Sequence, residues 1–187
     1  LFNNSKNNSN YLILFLFCTF PIAVILGNLV INIYTILISL TYIIFNFKKN
    51  IFKNKIFLIL NIFFFLLIIN LFFTQNFDLS YPRVLKFFFI IFFVISFKHI
   101  IDLNKSYEIK IYKFWFFIIA FFSIDILIEF FFGKNIIGMK SYIPGRMSGF
   151  FGDELVAGYF YFGFIFVIFS LFFKLFNRKK LLIFFFF

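Results

Sequence analysis

From Tyr11 to Phe47 the chain runs for thirty-seven residues without one charged side chain. As a single helix that run would be roughly 55 Å long, against a bilayer hydrocarbon core of about 30 Å. It also lacks the regular polar stripe that an element on the surface of a soluble domain requires. The stretch is therefore read as two membrane-spanning helices in succession. Gly27-Asn28 is the natural division, a turn-permissive residue followed by a polar one. The spans then lie near 11–27 and 29–47, the first kinked at Pro21.

The same reasoning places spans near 56–73, 84–101, 111–132 and 155–173, with a truncated seventh over 181–187. The predicted fold class is all-α, a polytopic transmembrane helical bundle of about six complete spans plus the truncated seventh. An Asn/Ser-rich tail over 1–10 is expected to be mobile and cytoplasmic, and an outer loop is expected over 133–154. The fourth span has a short uncharged centre, Phe87 to Phe97. It crosses with Lys86 and Lys98 snorkelling to opposite interfaces, or it forms a re-entrant segment. Because the sequence opens on Leu1 and stops inside an apolar run, it reads as a fragment.

Composition agrees with lipid as the solvent: 64% of residues are hydrophobic and 13% charged, where soluble domains run near 45–50% and 25%. The 42 phenylalanines accompany many Ile, Asn and Lys residues. All four have AT-rich codons, so the excess reads as codon bias filling lipid-facing positions. The net charge of +11 raises the question of nucleic acid, and its placement answers it. With the amino end inside, Lys6, Lys48, Lys49, Lys53, Lys55, Lys98, Lys105, Lys110, Lys113, Lys174, Arg178, Lys179 and Lys180 fall on inner segments. Only Arg83, Lys86, Lys134, Lys140 and Arg146 fall on outer ones. The positive-inside bias thus predicts a cytoplasmic amino end, with the lysines facing anionic lipid head groups and no nucleic-acid partner. The single cysteine, Cys18, lies inside the first apolar run, which excludes an internal disulfide and a cysteine metal site. No metal ligand set, nucleophile–His–acid set or phosphate-binding loop is visible, and no cofactor is expected.

Chemistry then concentrates on the outer side. Asp125 and Glu129, at i and i+4 in the fifth span, share one helix face. Acids at that depth line a cavity or meet a partner, because lipid exposure costs several kcal/mol. Two readings are open: they line a pocket open to the outside, or they are structural, partners of outer-face Lys or Arg or hydrogen-bonded to neighbouring helices. The loop after them carries Gly133, Gly138, Pro144, Gly145, Gly149 and Gly152 around Arg146. Glycine lets backbone N–H groups approach a ligand, and arginine offers a fork matched to phosphate oxygens. Asp153 and Glu154 end the loop, as a base or a helix cap. Tyr81-Pro82-Arg83 sets a second arginine at the outer mouth of the fourth span. His99 falls in an inner loop and reads as solvated, Asn61 and Asn70 as helix-packing groups, and Tyr112 and Trp115 as interfacial aromatics.

The segment from Asp125 through Glu129, Gly133 and Gly138, followed by Pro144-Gly-Arg146-Met-Ser-Gly149-Phe-Phe-Gly152-Asp153-Glu154-Leu-Val-Ala-Gly158, resembles the O-antigen ligase/O-antigen polymerase superfamily. The resemblance implies a membrane glycosyltransferase of a bacterial inner membrane. Its donor would be a glycan on undecaprenyl pyrophosphate, and its acceptor lipid A-core or another lipid-linked glycan. It further implies that Arg146 binds the pyrophosphate with help from Arg83, Gly145 and Gly149, with Asp125 and Glu129 as further catalytic candidates. The ligase branch carries a functional histidine in a later outer loop that this sequence does not reach. The polymerase branch carries an Arg-to-Gly spacing that Arg146 and Gly158 miss by one residue. Ligase and polymerase both stay open. The rivals are a transporter or lipid-linked oligosaccharide flippase, which also wants buried acids and outer arginines, and a non-catalytic membrane subunit.

Overall fold

The computed structural model describes residues 2–47, 51–52, 54–141, 143, 145–151 and 157–175, with the side chains of 2–6, 168 and 170–175 set aside. Every regular element among the described residues is helical. In chain order these are α1 (Phe2–Cys18), α2 (Phe20–Ile25), α3 (Asn28–Asn46), α4 (Lys55–Leu71), α5 (Phe77–Leu103), α6 (Lys105–Phe132), a 3-10 turn at Gly149–Phe151, and α7 (Ala157–Leu175). Three of them, α3, α5 and α6, are long and apolar enough to cross a membrane, while α4 and the described part of α7 are shorter apolar helices. Their outward faces are apolar as well: Phe65 is 63% exposed, Phe117 71% and Phe131 74%. Water would penalise such faces by about 25 cal/mol per Å², and lipid does not, so the chain fits a membrane protein.

Several boundaries differ from the sequence reading. Residues 2–10 are not a tail but the first turns of α1. Extending a formed helix adds a hydrogen bond for each residue fixed, and a buried bond from Asn46 Nδ2 to Ser9 Oγ, 3.3 Å, ties this end to α3. The first span is not one kinked helix. α1 stops at Cys18, Thr19 turns, and α2 restarts with Pro21 as its second residue, where the missing N–H would have had no helical partner anyway. Gly27, at φ +99°, separates α2 from α3. α5 is continuous over 27 residues rather than re-entrant, and it begins early enough that Tyr81-Pro82-Arg83 lies in its second turn instead of before it. The seventh span over 181–187 lies outside the described residues, as do Lys48, Lys49, Lys53 and Arg178 to Lys180.

The chain divides into two compact units, Leu1–Phe17 with Leu29–Tyr107, and Cys18–Asn28 with Glu108–Phe187. In the first, ring contacts fix helix directions. Phe57 meets Phe92 and Phe64 meets Phe87, so α4 runs antiparallel to α5. Phe17 meets Phe93 and Phe97 while Tyr11, earlier in α1, meets Tyr107 just past the end of α5, so α1 is also antiparallel to α5. Ser39 Oγ donates to Phe89 O at 2.7 Å and Tyr42 packs against His99, so α3 runs parallel to α5. Successive long helices therefore alternate in direction.

In the second unit α6 and α7 are antiparallel, with Trp115 against Phe164 and Phe122 against Phe160. A bond of 2.8 Å joins the Ser123 and Tyr161 hydroxyls. Trp115 is thus buried against α7 instead of anchoring an interface. Asn61 does not bridge helices either: its Nδ2 donates to Phe57 O one turn back, at 2.8 Å.

Candidate functional site

The site is built on one face of α6. Phe122, Asp125 and Glu129 recur at helical spacing and are buried, the two acids at 0% and 5% exposure. The loop that follows folds back over them. Gly133, at φ +69°, takes the left-handed turn that ends α6, its N–H donating to Glu129 O at 2.8 Å. The main chain then brings the N–H of Ile136 to Asp125 Oδ1 at 2.9 Å. Further on, the N–H groups of Ser148 and Gly149 both donate to Glu129 Oε2, at 3.0 and 2.6 Å, and Ser148 Oγ donates to Oε1 at 3.4 Å. A buried carboxylate loses several kcal/mol of hydration unless donors replace it. Here backbone amides supply them, and those amides, being buried too, need the acceptor as much as the acid needs them.

Asn135 holds the two halves of the loop together. Its Oδ1 accepts from the N–H groups of Ile137 and Met139, at 3.1 and 2.8 Å, and its Nδ2 donates to Gly149 O at 2.9 Å. The sequence reading passed over this residue. The available signal was an asparagine between two glycines just past a helix end, the setting in which Asn side chains bond their own nearby backbone.

The predicted site residues separate accordingly. Glu129, Gly149 and the residue after Met147, Ser148, come together, and Asp125 joins the same loop through Ile136. Both acids accept from backbone N–H groups of the loop, which replace part of the hydration that burial removes, and Asp125 Oδ2 has no hydrogen-bond partner among the described residues. Arg146 is exposed two residues before the clamped Ser148, its N–H on Ile143 O at 3.2 Å. Its guanidinium has no hydrogen bond or ion pair among the described residues. Gly145 beside it has φ +80° and open space around it. Arg83 belongs to the other unit, where it lines a cavity of about 320 Å³ with Asn32, Thr35 and Lys86. Asp153 and Glu154 lie outside the described residues. Among the described residues no group of three or more His, Cys, Asp or Glu is placed to hold a metal ion.

Comparison with known protein families, with curated proteins and with solved structures finds no match. The class defined by fold and site is an all-helical protein suited to a membrane, with a glycine-rich loop clamped onto buried acids and an arginine displayed at its surface.

Proposed function

We propose that this protein is a membrane glycosyltransferase of the O-antigen ligase/polymerase kind. It would move a glycan from undecaprenyl pyrophosphate to lipid A-core or to another lipid-linked glycan during cell-surface polysaccharide synthesis. The proposal includes six spans, a cytoplasmic amino end, an inner-membrane location and the loop over 133–154 on the outer face. The observation that carries it is Arg146: an exposed guanidinium on backbone held two residues away by two N–H bonds to Glu129. In the transfer, an acceptor hydroxyl oxygen bonds to the anomeric carbon while the bond from that carbon to the diphosphate oxygen breaks. The hydroxyl proton leaves to a base, and negative charge grows on the diphosphate. A cation carried on a backbone that is already seated meets that charge with less reorganisation than one on a free loop. Arginine's planar fork matches two phosphate oxygens at once. Asp125 and Glu129 enter this reading as positioning residues that set the loop, not as groups touching substrate.

Membranes from cells expressing the gene for this chain supply the test. Arg146→Ala is expected to lower transfer from the lipid-linked donor by about 100-fold, with Arg146→Lys intermediate and membrane levels of the protein unchanged. Full transfer by the Ala variant sinks the pyrophosphate assignment. Orientation has its own check, since Arg146→Cys should react with a membrane-impermeant thiol reagent added from the outer side of the inner membrane. Labelling from the cytoplasmic side alone reverses the topology.

A further inference from the structure

In the first unit, at the end of α5 away from Arg83, a cavity of about 260 Å³ is lined by Tyr42, Asn46, Asn54, Lys98, His99 and Asp102 among others. His99 is no solvated loop residue: it lies within α5, its ring 5.4 Å from that of Tyr42. The cavity lining includes one cation and one anion that do not satisfy each other. Lys98 and Asp102 stand one helical turn apart, yet among the described residues no ion pair joins them. The Lys98 ammonium has only a long 3.4 Å contact to Asn54 Oδ1, an oxygen already capping α4 through the Ile56 N–H at 3.1 Å. Lysine before acid at this spacing is the less favourable order on a helix. Asp102 also sits one residue from the carboxyl end of α5, where the helix dipole repels a carboxylate. Asn46, which also lines the cavity, is 2% exposed, and its Oδ1 has no hydrogen-bond partner among the described residues.

We propose that this cavity binds a phosphate ester carrying a primary ammonium, the chemistry of an ethanolamine phospholipid head group. The phosphate lies on Lys98 and the ammonium on Asp102, two charged groups of one cavity lining. A volume of about 260 Å³ far exceeds the roughly 30 Å³ share of one water and approaches the lower end of ordinary small-molecule sites. The position suits a lipid. The uncharged core of α5 ends at Phe97, so Lys98 stands where hydrocarbon gives way to head groups. The site is independent of the glycan-transfer proposal.

The test is lipid retention by the whole purified protein, stripped of lipid, mixed with one lipid at a time and read by native mass spectrometry. Phosphatidylethanolamine should be retained about tenfold better than phosphatidylcholine, whose quaternary ammonium has no N–H to donate to Asp102, and better than phosphatidylglycerol, which has no cation to meet that carboxylate. Lys98→Gln and Asp102→Asn should each lower its retention about tenfold. Asp102 is exposed and its Asn variant nearly isosteric, so circular dichroism should show unchanged helix. Soluble phosphoethanolamine separates the two sources. Displacement of the lipid assigns the site to a free ester, and failure to displace assigns it to the membrane; either supports the zwitterion site. Equal retention of all three lipids, or phosphatidylethanolamine retention untouched by both substitutions, overturns it.

Discussion

Glu129→Ala is expected to free the loop over 133–151 at a cost of about 3–5 kcal/mol, whereas Glu129→Gln leaves it seated. Alanine strips the acceptor from the N–H groups of Ser148 and Gly149 and from the Ser148 hydroxyl. Each buried donor left unmade costs about 1–3 kcal/mol, and removing one partner of a buried charged contact costs about 3–5 kcal/mol. Glutamine can place its carbonyl where Oε2 lies, keeping both backbone bonds, and offer its amide N–H to Ser148 Oγ. Trypsin reads the difference directly, because Arg146 is exposed and lies two residues from the clamp. At low protease the cleavage rate follows the population of the opened loop, so cleavage after Arg146 should rise about 100-fold or more in the Ala variant. The Gln variant should cleave much as the wild type does. The same pair divides two roles for Glu129. A proton-transferring acid would lose transfer in both variants, whereas a positioning acid loses it in Ala and keeps most of it in Gln. Equal cleavage of the two variants would remove the clamp as an explanation of where Arg146 stands.

That clamp shows what a sequence displays and what it hides. The helical period alone puts Asp125 and Glu129 on one face, and the cost of burying acids requires partners for them. The partners themselves were not legible, because a backbone N–H is the same at every residue and leaves no letter in the sequence. Apolar length likewise marks helices long enough to cross a membrane, yet it misplaces their ends. Residues 2–10 are helical because a contact thirty-seven residues away, Asn46 to Ser9, holds them. Local composition, rich in Asn and Ser, argues for a tail. α5 likewise takes in Pro82, which local rules place at or near a helix start. His99 falls within the span drawn over 84–101, yet it reads as an inner-loop residue because Lys98 beside it is counted with the inner segment. In α5 its ring lies against Tyr42, and it lines one cavity with Lys98 and Asp102, which form no ion pair with each other among the described residues.

Gly149→Ala should be the most damaging single-methyl change in the loop, for two separable reasons. Gly149 has φ +56°, a conformation costing a non-glycine residue about 1–2 kcal/mol. An added Cβ would also meet Phe122 Cε2 at 2.8 Å and Ile126 Cγ1 at 3.1 Å. Phe122 has little room to yield, since its ring is packed by Phe150, Phe151, Phe160 and Tyr161. Overpacking of this kind costs about 1–3 kcal/mol, which brings the expected total to roughly 2–5 kcal/mol. Gly145→Ala isolates the first term, because Gly145 has φ +80° with nothing within 4 Å of its added methyl. Hydrogen exchange at Ser148, Gly149 and Phe151, whose amides are held by Glu129 and Ser148, should therefore accelerate far more in Gly149→Ala than in Gly145→Ala. Pairing Gly149→Ala with Phe122→Leu should recover the steric part and leave the backbone part, a positive coupling in a double-mutant cycle. Matching acceleration in the two alanine variants would mean that the loop does not rest on Phe122, and the seat beside Arg146 would then depend on the hydrogen bonds of Glu129 and Asn135.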